Sequence, residues 1–129
     1  MDNILIIGGT GSLGKTLIKH FLPDYNIAVM SRDEAKHVTV KQLYPEVKSI
    51  IGDIRDRDSV FNALIKANPD IIINAAALKN VPEVEEVPME GIKTSLIGTE
   101  NLNQATSVYS QMTHNKLMKI LTVSTDKAA

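Results

Sequence analysis

The chain has 129 residues, a net charge of −1, 43% hydrophobic and 22% charged residues, and no cysteine. That length supports one domain with a real core. The balanced charge gives no basic field for nucleic acid, and the absence of thiols excludes disulfides, thiolate–zinc sites and thiol catalysis.

Ile4–Ile7 (ILII) has no polar face, as a parallel strand buried on both sides requires. Three glycines at positions 8, 11 and 14 follow it directly, and then a helical pattern begins. Leu13, Leu17, Ile18, Phe21 and Leu22 share one helical face, which Pro23 ends. Ile27–Met30 reads as the second strand. A weaker helix runs from about Asp33 to Leu43 and stops before Tyr44-Pro45. Val47–Ile51 is the third strand, ended by Gly52.

Asp56 or Asp58 caps the next helix, whose face is Val60, Phe61, Leu64 and Ile65, and Asn68-Pro69 closes it. Ile71–Asn74 is the fourth strand. A long helical region spans about Glu83 to Tyr109, interrupted near Pro88 and weakened by Gly91 and Gly98. Lys119–Ser124 is the last strand. Strands alternating with amphipathic helices predict an α/β fold, a doubly wound parallel sheet of Rossmann type. Right-handed crossovers give the strand order 3-2-1-4-5, with the chain stopping after strand five and residues 1–129 forming one domain. Ligands of such a sheet bind beyond the C-terminal strand ends, between strands one and four.

Distinctive residues fall at those ends. Gly8 permits a tight turn, Gly11 lets backbone N–H groups approach a pyrophosphate, and Gly14 lets the helix pack on the strand. The helix start directs its partial positive charge at the phosphates. A glycine-rich turn also closes ordinary strand–helix units, but the flanking strand and helix supply the context that dinucleotide binding needs. Thr10, Ser12 and Leu13 in the same loop join the cofactor-binding set.

After strand two comes Ser31-Arg32-Asp33. A carboxylate here would bond the adenosine ribose and favour NAD, whereas an arginine pairs with a 2′-phosphate. Arg32 with Ser31 favours NADP, and Asp33 keeps NAD open. Ala75, Ala76 and Ala77 after strand four let a cofactor lie close against the backbone, and Lys79 follows them. His20, His37 and His114 are far apart with no ligand spacing, so no metal is expected. No apolar run approaches the roughly 20 residues of a membrane helix, and no secretory signal pattern opens the chain. A cytoplasmic location is expected.

The GxxGxxG spacing resembles the short-chain dehydrogenase/reductase superfamily, in its extended branch. That resemblance implies that Asp53 and Ile54, after strand three, contact adenine; a helix cap and entry turn would look similar. Residues 76–82 (AALKNVP), then Glu85, Pro88, Glu90, Ile92-Lys93-Thr94 and Gly98-Thr99, resemble the UDP-N-acetylglucosamine 4,6-dehydratase family, as does Ser124-Thr125-Asp126-Lys127-Ala128-Ala129.

In that family NADP takes hydride from sugar C4, water is lost across C5–C6, and hydride returns to C6. The resemblance implies that Asp126 protonates the leaving C6 hydroxyl, Lys127 handles the C5 proton and Thr125 orients the sugar at C4. A flexible, exposed lysine is the plainer reading of Lys127. Two departures stand out. Ser95 occupies the place of a family asparagine, and none of Tyr25, Tyr44 or Tyr109 has a lysine four positions on at the right place in the fold. The isolated chain is therefore expected to be inactive. Its last strand would form an open edge calling for self-association or a companion chain. A noncatalytic NADP-binding module and a decayed fragment are the competing functions.

Overall fold

The computed structural model describes residues 2–8, 12–75, 88–113 and 119–122. Its elements are β1 (Asn3–Ile7), α1 (Ser12–Phe21), β2 (Asn26–Ser31), α2 (Glu34–Leu43), β3 (Lys48–Ile51), α3 (Arg57–Ala67), β4 (Ile71–Asn74), α4 (Pro88–Met112) and β5 (Lys119–Thr122). The strands form one sheet in the order β3-β2-β1-β4-β5, all parallel. The predicted doubly wound sheet is therefore present.

The two-residue period of a strand divides the core. Leu5, Ile7, Ala28, Met30, Ile50 and Ile72 face one side, where Val60, Ala63 and Leu64 of α3 meet Leu102, Ala105 and Tyr109 of α4. Ile4, Ile6, Ile27, Val29 and Ile73 face the other, against Ile18 of α1 and Val40 of α2. Alternate residues of β1 thus feed different layers. Fully burying each such aliphatic side chain contributes about 1.5–3 kcal/mol before the ordering entropy is charged against it.

Local chemistry sets the element ends. The Asp33 carboxylate accepts from the Lys36 N–H at 3.2 Å and caps α2. Asp56, rather than Asp58, caps α3, accepting from the Asp58 N–H at 3.0 Å. Asn68 ends α3 in the left-handed conformation, φ 46°, which asparagine tolerates better than most residues.

Two expectations are corrected. Ile65 is 51% exposed, because the face that packs on the sheet is Val60, Ala63 and Leu64; five residues beyond Val60, a side chain points well off that face. Val47 is buried but lies in the turn before β3, so β3 starts at Lys48. The described part of the long helix runs from Pro88 to Met112 and passes Gly91 and Gly98 without a break. Proline suits a first helical position, where its missing N–H costs nothing. Residues 83–87 lie outside the described set.

The N-terminal ends of the strands are tied by side chains. The Asn3 N–H donates to Asp70 Oδ2 at 2.8 Å, and its side-chain amide donates to the Asn68 carbonyl at 3.0 Å. The Asn26 amide donates to Asn3 Oδ1 at 3.1 Å. The Tyr109 hydroxyl donates to Asn68 Oδ1. Burial and the nearby Asp70 charge push the Tyr109 phenol above its ordinary value of 10.0.

Candidate functional site

The C-terminal strand ends carry the other chemistry. β1 lies between β2 and β4, with Ile7 in register with Met30 on one side and Asn74 on the other. Here the strand order reverses, where an open parallel sheet leaves its ligand crevice. Gly8 still donates to the Met30 carbonyl at 2.8 Å, and then turns the chain at φ 78°. A side chain is strained at that φ, so glycine is required. The backbone of α1 begins at Ser12, and Gly14 is buried in its first turn. On the far side of β1, the Ala75 N–H donates to the Ile7 carbonyl at 2.9 Å, and Ala75 is buried.

Ser31 is the last residue of β2 and is buried, its hydroxyl accepting from the Asp33 N–H at 3.3 Å. Arg32 follows with a side chain 65% exposed and its guanidinium 3.9 Å from Asp53 Oδ2. Gly52 is tightly packed beside it: a Cβ there would lie 3.2 Å from Cγ and Sδ of Met30.

Asp53 is held most firmly by Arg55. The Arg55 N–H donates to Oδ1 at 2.9 Å, Nε lies 3.1 Å from both carboxylate oxygens, and Nη2 donates to Oδ2 at 2.8 Å. Hydrogen bonding from the Arg55 side chain holds the Asp53 carboxyl below its ordinary value of 3.8. Partial burial opposes this; the Arg55 N–H and the charges of Arg55 and Arg32 add to it. Hydrogen bonding and charge from Asp53 in turn raise the Arg55 guanidinium above its ordinary value. Two guanidinium groups around one carboxylate leave a positive corner able to receive an anion.

Ile54, the predicted partner of Asp53, packs partly buried against the α3–α4 side of the core. Its carbonyl accepts from the Asn101 amide of α4 at 3.0 Å. Gly8, Ser12, Gly14, Ser31, Arg32, Asp53, Ile54 and Ala75 thus all sit on the C-terminal side of the sheet or in the turns leaving it. For Ser12 and Leu13 only the backbone is described, in the first turn of α1. Thr10, Gly11, Ala76, Ala77, Lys79, Thr125, Asp126 and Lys127 lie outside the described residues.

Sequence reasoning missed Arg55, although the Asp-x-Arg spacing across the turn after β3 was the signal for it. Tyr44 and Lys48 do have the Tyr-x-x-x-Lys spacing, but they join the end of α2 to the start of β3. Lys48 Nζ donates to the Lys66 carbonyl at 2.8 Å. The pair shares no helix and sits at the wrong end of the sheet for the crevice. Among the described residues no group of histidine, aspartate or glutamate could hold a metal ion, and no helix is long and apolar enough to cross a membrane.

The chain is similar to curated proteins of nucleotide-sugar chemistry. It is 40% identical to a UDP-N-acetylglucosamine 4,6-dehydratase (inverting) of Campylobacter jejuni, covering 98% of this chain and 37% of that protein. It is 38% identical to a UDP-glucose 4-epimerase of Rickettsia bellii, covering 97% of this chain and 37% of that protein. Among solved structures, Pen from Bacillus thuringiensis superposes with a TM-score of 0.77 at 32% identity, over 95% of this chain and 37% of that one. The Bordetella bronchiseptica enzyme WbmG, solved with NAD and UDP, superposes with a TM-score of 0.71 at 25% identity, over 94% and 36%. The chain therefore spans little more than a third of the length of these relatives. The family model described as polysaccharide biosynthesis protein matches residues 4–129, and the chain belongs to that family.

Proposed function

We propose that this chain is the coenzyme-binding segment of a nucleotide-sugar 4,6-dehydratase or epimerase, with NADP favoured over NAD. The observation that carries this reading is the β1–α1 turn. Gly8, at φ 78°, swings the chain from a strand buried on both faces toward the start of a helix, beside the reversal of strand order. Relatives of both enzyme classes and the NAD complex of WbmG support it.

The residues present fit a dinucleotide. Backbone N–H groups at the α1 start would hold the pyrophosphate. Buried Ala75 would give the ribose a flat wall, and Arg32 with Arg55 would bind a 2′-phosphate. NAD has no such phosphate to neutralise that positive corner, so NADP gains more. When bound, the coenzyme supplies hydride acceptance from sugar C4 and hydride return. Thr125 would hold the C4 hydroxyl in line, Asp126 would give a proton to the departing C6 hydroxyl, and Lys127 would take the proton from C5. Lys127 can do so only if burial or a neighbouring cation lowers its pKa. The Thr-Asp-Lys segment favours the dehydratase over the epimerase.

In this reading the chain works in the cytoplasm and needs a Tyr-x-x-x-Lys helix and a sugar-binding portion from further polypeptide. A second copy or a companion chain would cover β5, where Leu121 is 56% exposed.

Calorimetric titration with NADP and NAD tests the binding claim. NADP is expected to bind more tightly, and Arg32→Ala to cut the NADP-to-NAD affinity ratio about tenfold, the worth of one charge-assisted contact. Heat from neither coenzyme refutes the reading. Incubation with UDP-N-acetylglucosamine and NADP is expected to give no product from this chain alone, and a 4-keto-6-deoxy sugar once a companion polypeptide is added. Coenzyme binding without turnover in that mixture would instead identify a noncatalytic module.

A further inference from the structure

His37, on α2 directly below the β2 tip, is 4% exposed and has no part in the proposed chemistry. Its Nε2 lies 3.0 Å from the Ser31 carbonyl oxygen. A carbonyl only accepts, so Nε2 carries the hydrogen. The buried Nδ1 has no hydrogen-bond partner. An apolar ring would fill the same space without stranding a polar atom, so the Nε2–H bond is what this ring supplies beyond packing.

The Ser31 carbonyl already accepts from the Gly52 N–H at 3.1 Å. That bond alone satisfies the strand ladder. A second donor, arriving from α2, fixes the direction in which the carbonyl points and with it the plane of the Ser31–Arg32 peptide. Arg32 hangs from that plane. Its side chain is 65% exposed and reaches Asp53 only at 3.9 Å, so its own contacts hold it loosely and the backbone decides where it stands.

We propose that His37 is a positioning residue for coenzyme discrimination: its Nε2–H clamps the Ser31 carbonyl so that Arg32 faces the 2′-position of the adenosine ribose. This rests on the assignment of Arg32 to a 2′-phosphate. His37 would act through the Ser31–Arg32 peptide it orients rather than on the coenzyme itself. NAD, which makes no use of Arg32, is bound without its help.

The test is calorimetric titration of the full chain with NADP and with NAD, using His37→Phe, His37→Gln and Arg32→Ala. His37→Phe is expected to weaken NADP about tenfold while NAD changes less than about twofold, the loss of one contact to a charged group. His37→Gln retains an amide donor and is expected to restore the ratio, which a role in packing alone would not predict. Equal weakening of both coenzymes by His37→Phe, or an unchanged ratio while Arg32→Ala abolishes it, overturns the inference and leaves the coenzyme reading standing. An unchanged ratio in Arg32→Ala overturns the coenzyme preference itself, and the inference with it. Should His37→Phe fail to fold, the wild-type chain decides by nuclear magnetic resonance. NADP is expected to shift the His37 Nε2 signal and NAD to leave it in place; equal shifts overturn the inference.

Discussion

The two ends of this parallel sheet are built on opposite principles. At the N-terminal end, Asn3, Asn26, Asn68, Asp70 and Tyr109 join strand to strand and helix to strand with side-chain hydrogen bonds. At the C-terminal end the chain turns through Gly8 and Gly52, and the charged groups gather on an outward-facing corner of Arg32, Asp53 and Arg55. One end saturates its polar groups internally. The other leaves charged side chains exposed on one corner. On the proposed reading, stability and recognition lie at opposite ends of the strands, so substitutions at the two ends should fail differently.

The strongest test of that contrast is Gly8→Val. A β-branched residue at φ 78° costs about 1–3 kcal/mol of local strain and places methyl groups where phosphates would approach. Coenzyme binding is expected to vanish in calorimetry while the chain keeps its far-ultraviolet circular dichroism. Normal binding by this variant would erase the distinction between the two ends.

Asp70→Ala should do the reverse. The Asn3 N–H loses its charged acceptor, at a cost of about 1–3 kcal/mol. A thermal melt should shift down by several degrees, with coenzyme affinity unchanged. The Tyr109 phenol should also ionise at lower pH, since the Asp70 charge that opposes its ionisation is gone. A change in coenzyme affinity would show that the ends are coupled after all.

The smallest effects come from pH. Asp53 has a folded value below 3.8, so its contribution is present above that pH and is lost as pH falls through the lower folded value. Tyr109 has a folded value above 10.0, so its contribution is complete below that pH and fades as pH rises toward the folded value. Denaturant melts across both limits should show an acid loss that Arg55→Ala removes and an alkaline loss that Tyr109→Phe removes. The acid loss should shrink in salt, because the Arg55 side chain is half exposed.

Much of the architecture was legible in the residues. Ile4–Ile7, Ile27–Met30 and Ile71–Ile73 are uniformly apolar, as strands buried on both sides require, and their order along the chain dictates the winding. Other features depend on neighbours distant in sequence. Gly91 and Gly98 each cost a helix about 1 kcal/mol in isolation, yet α4 absorbs them because Leu102, Ala105 and Tyr109 are anchored against α3 and the sheet. Ile65 shares the helical face expected from the sequence, whereas the side of α3 that packs carries Val60, Ala63 and Leu64, with Phe61 and Ala67 partly buried beside them. Of the site, the glycine turn and the charges after β2 and β3 could be named in advance from their positions at strand ends. The grip of Arg55 on Asp53 had only the Asp-x-Arg spacing to announce it, and that of His37 on Ser31 had none, because it depends on where a helical side chain points.

The bond from Asn101 to the Ile54 carbonyl links the turn after β3 to the long helix. The height of that turn above the sheet is thereby gauged by the seating of a distant helix as well as by the turn's own Asp53–Arg55 bonds. Sliding α4 by one helical turn, about 5.4 Å, would carry the anchor away from Ile54 altogether. Transplanting residues 52–56 into another scaffold would then move the letters without the ruler, and the grafted loop would settle into a different shape.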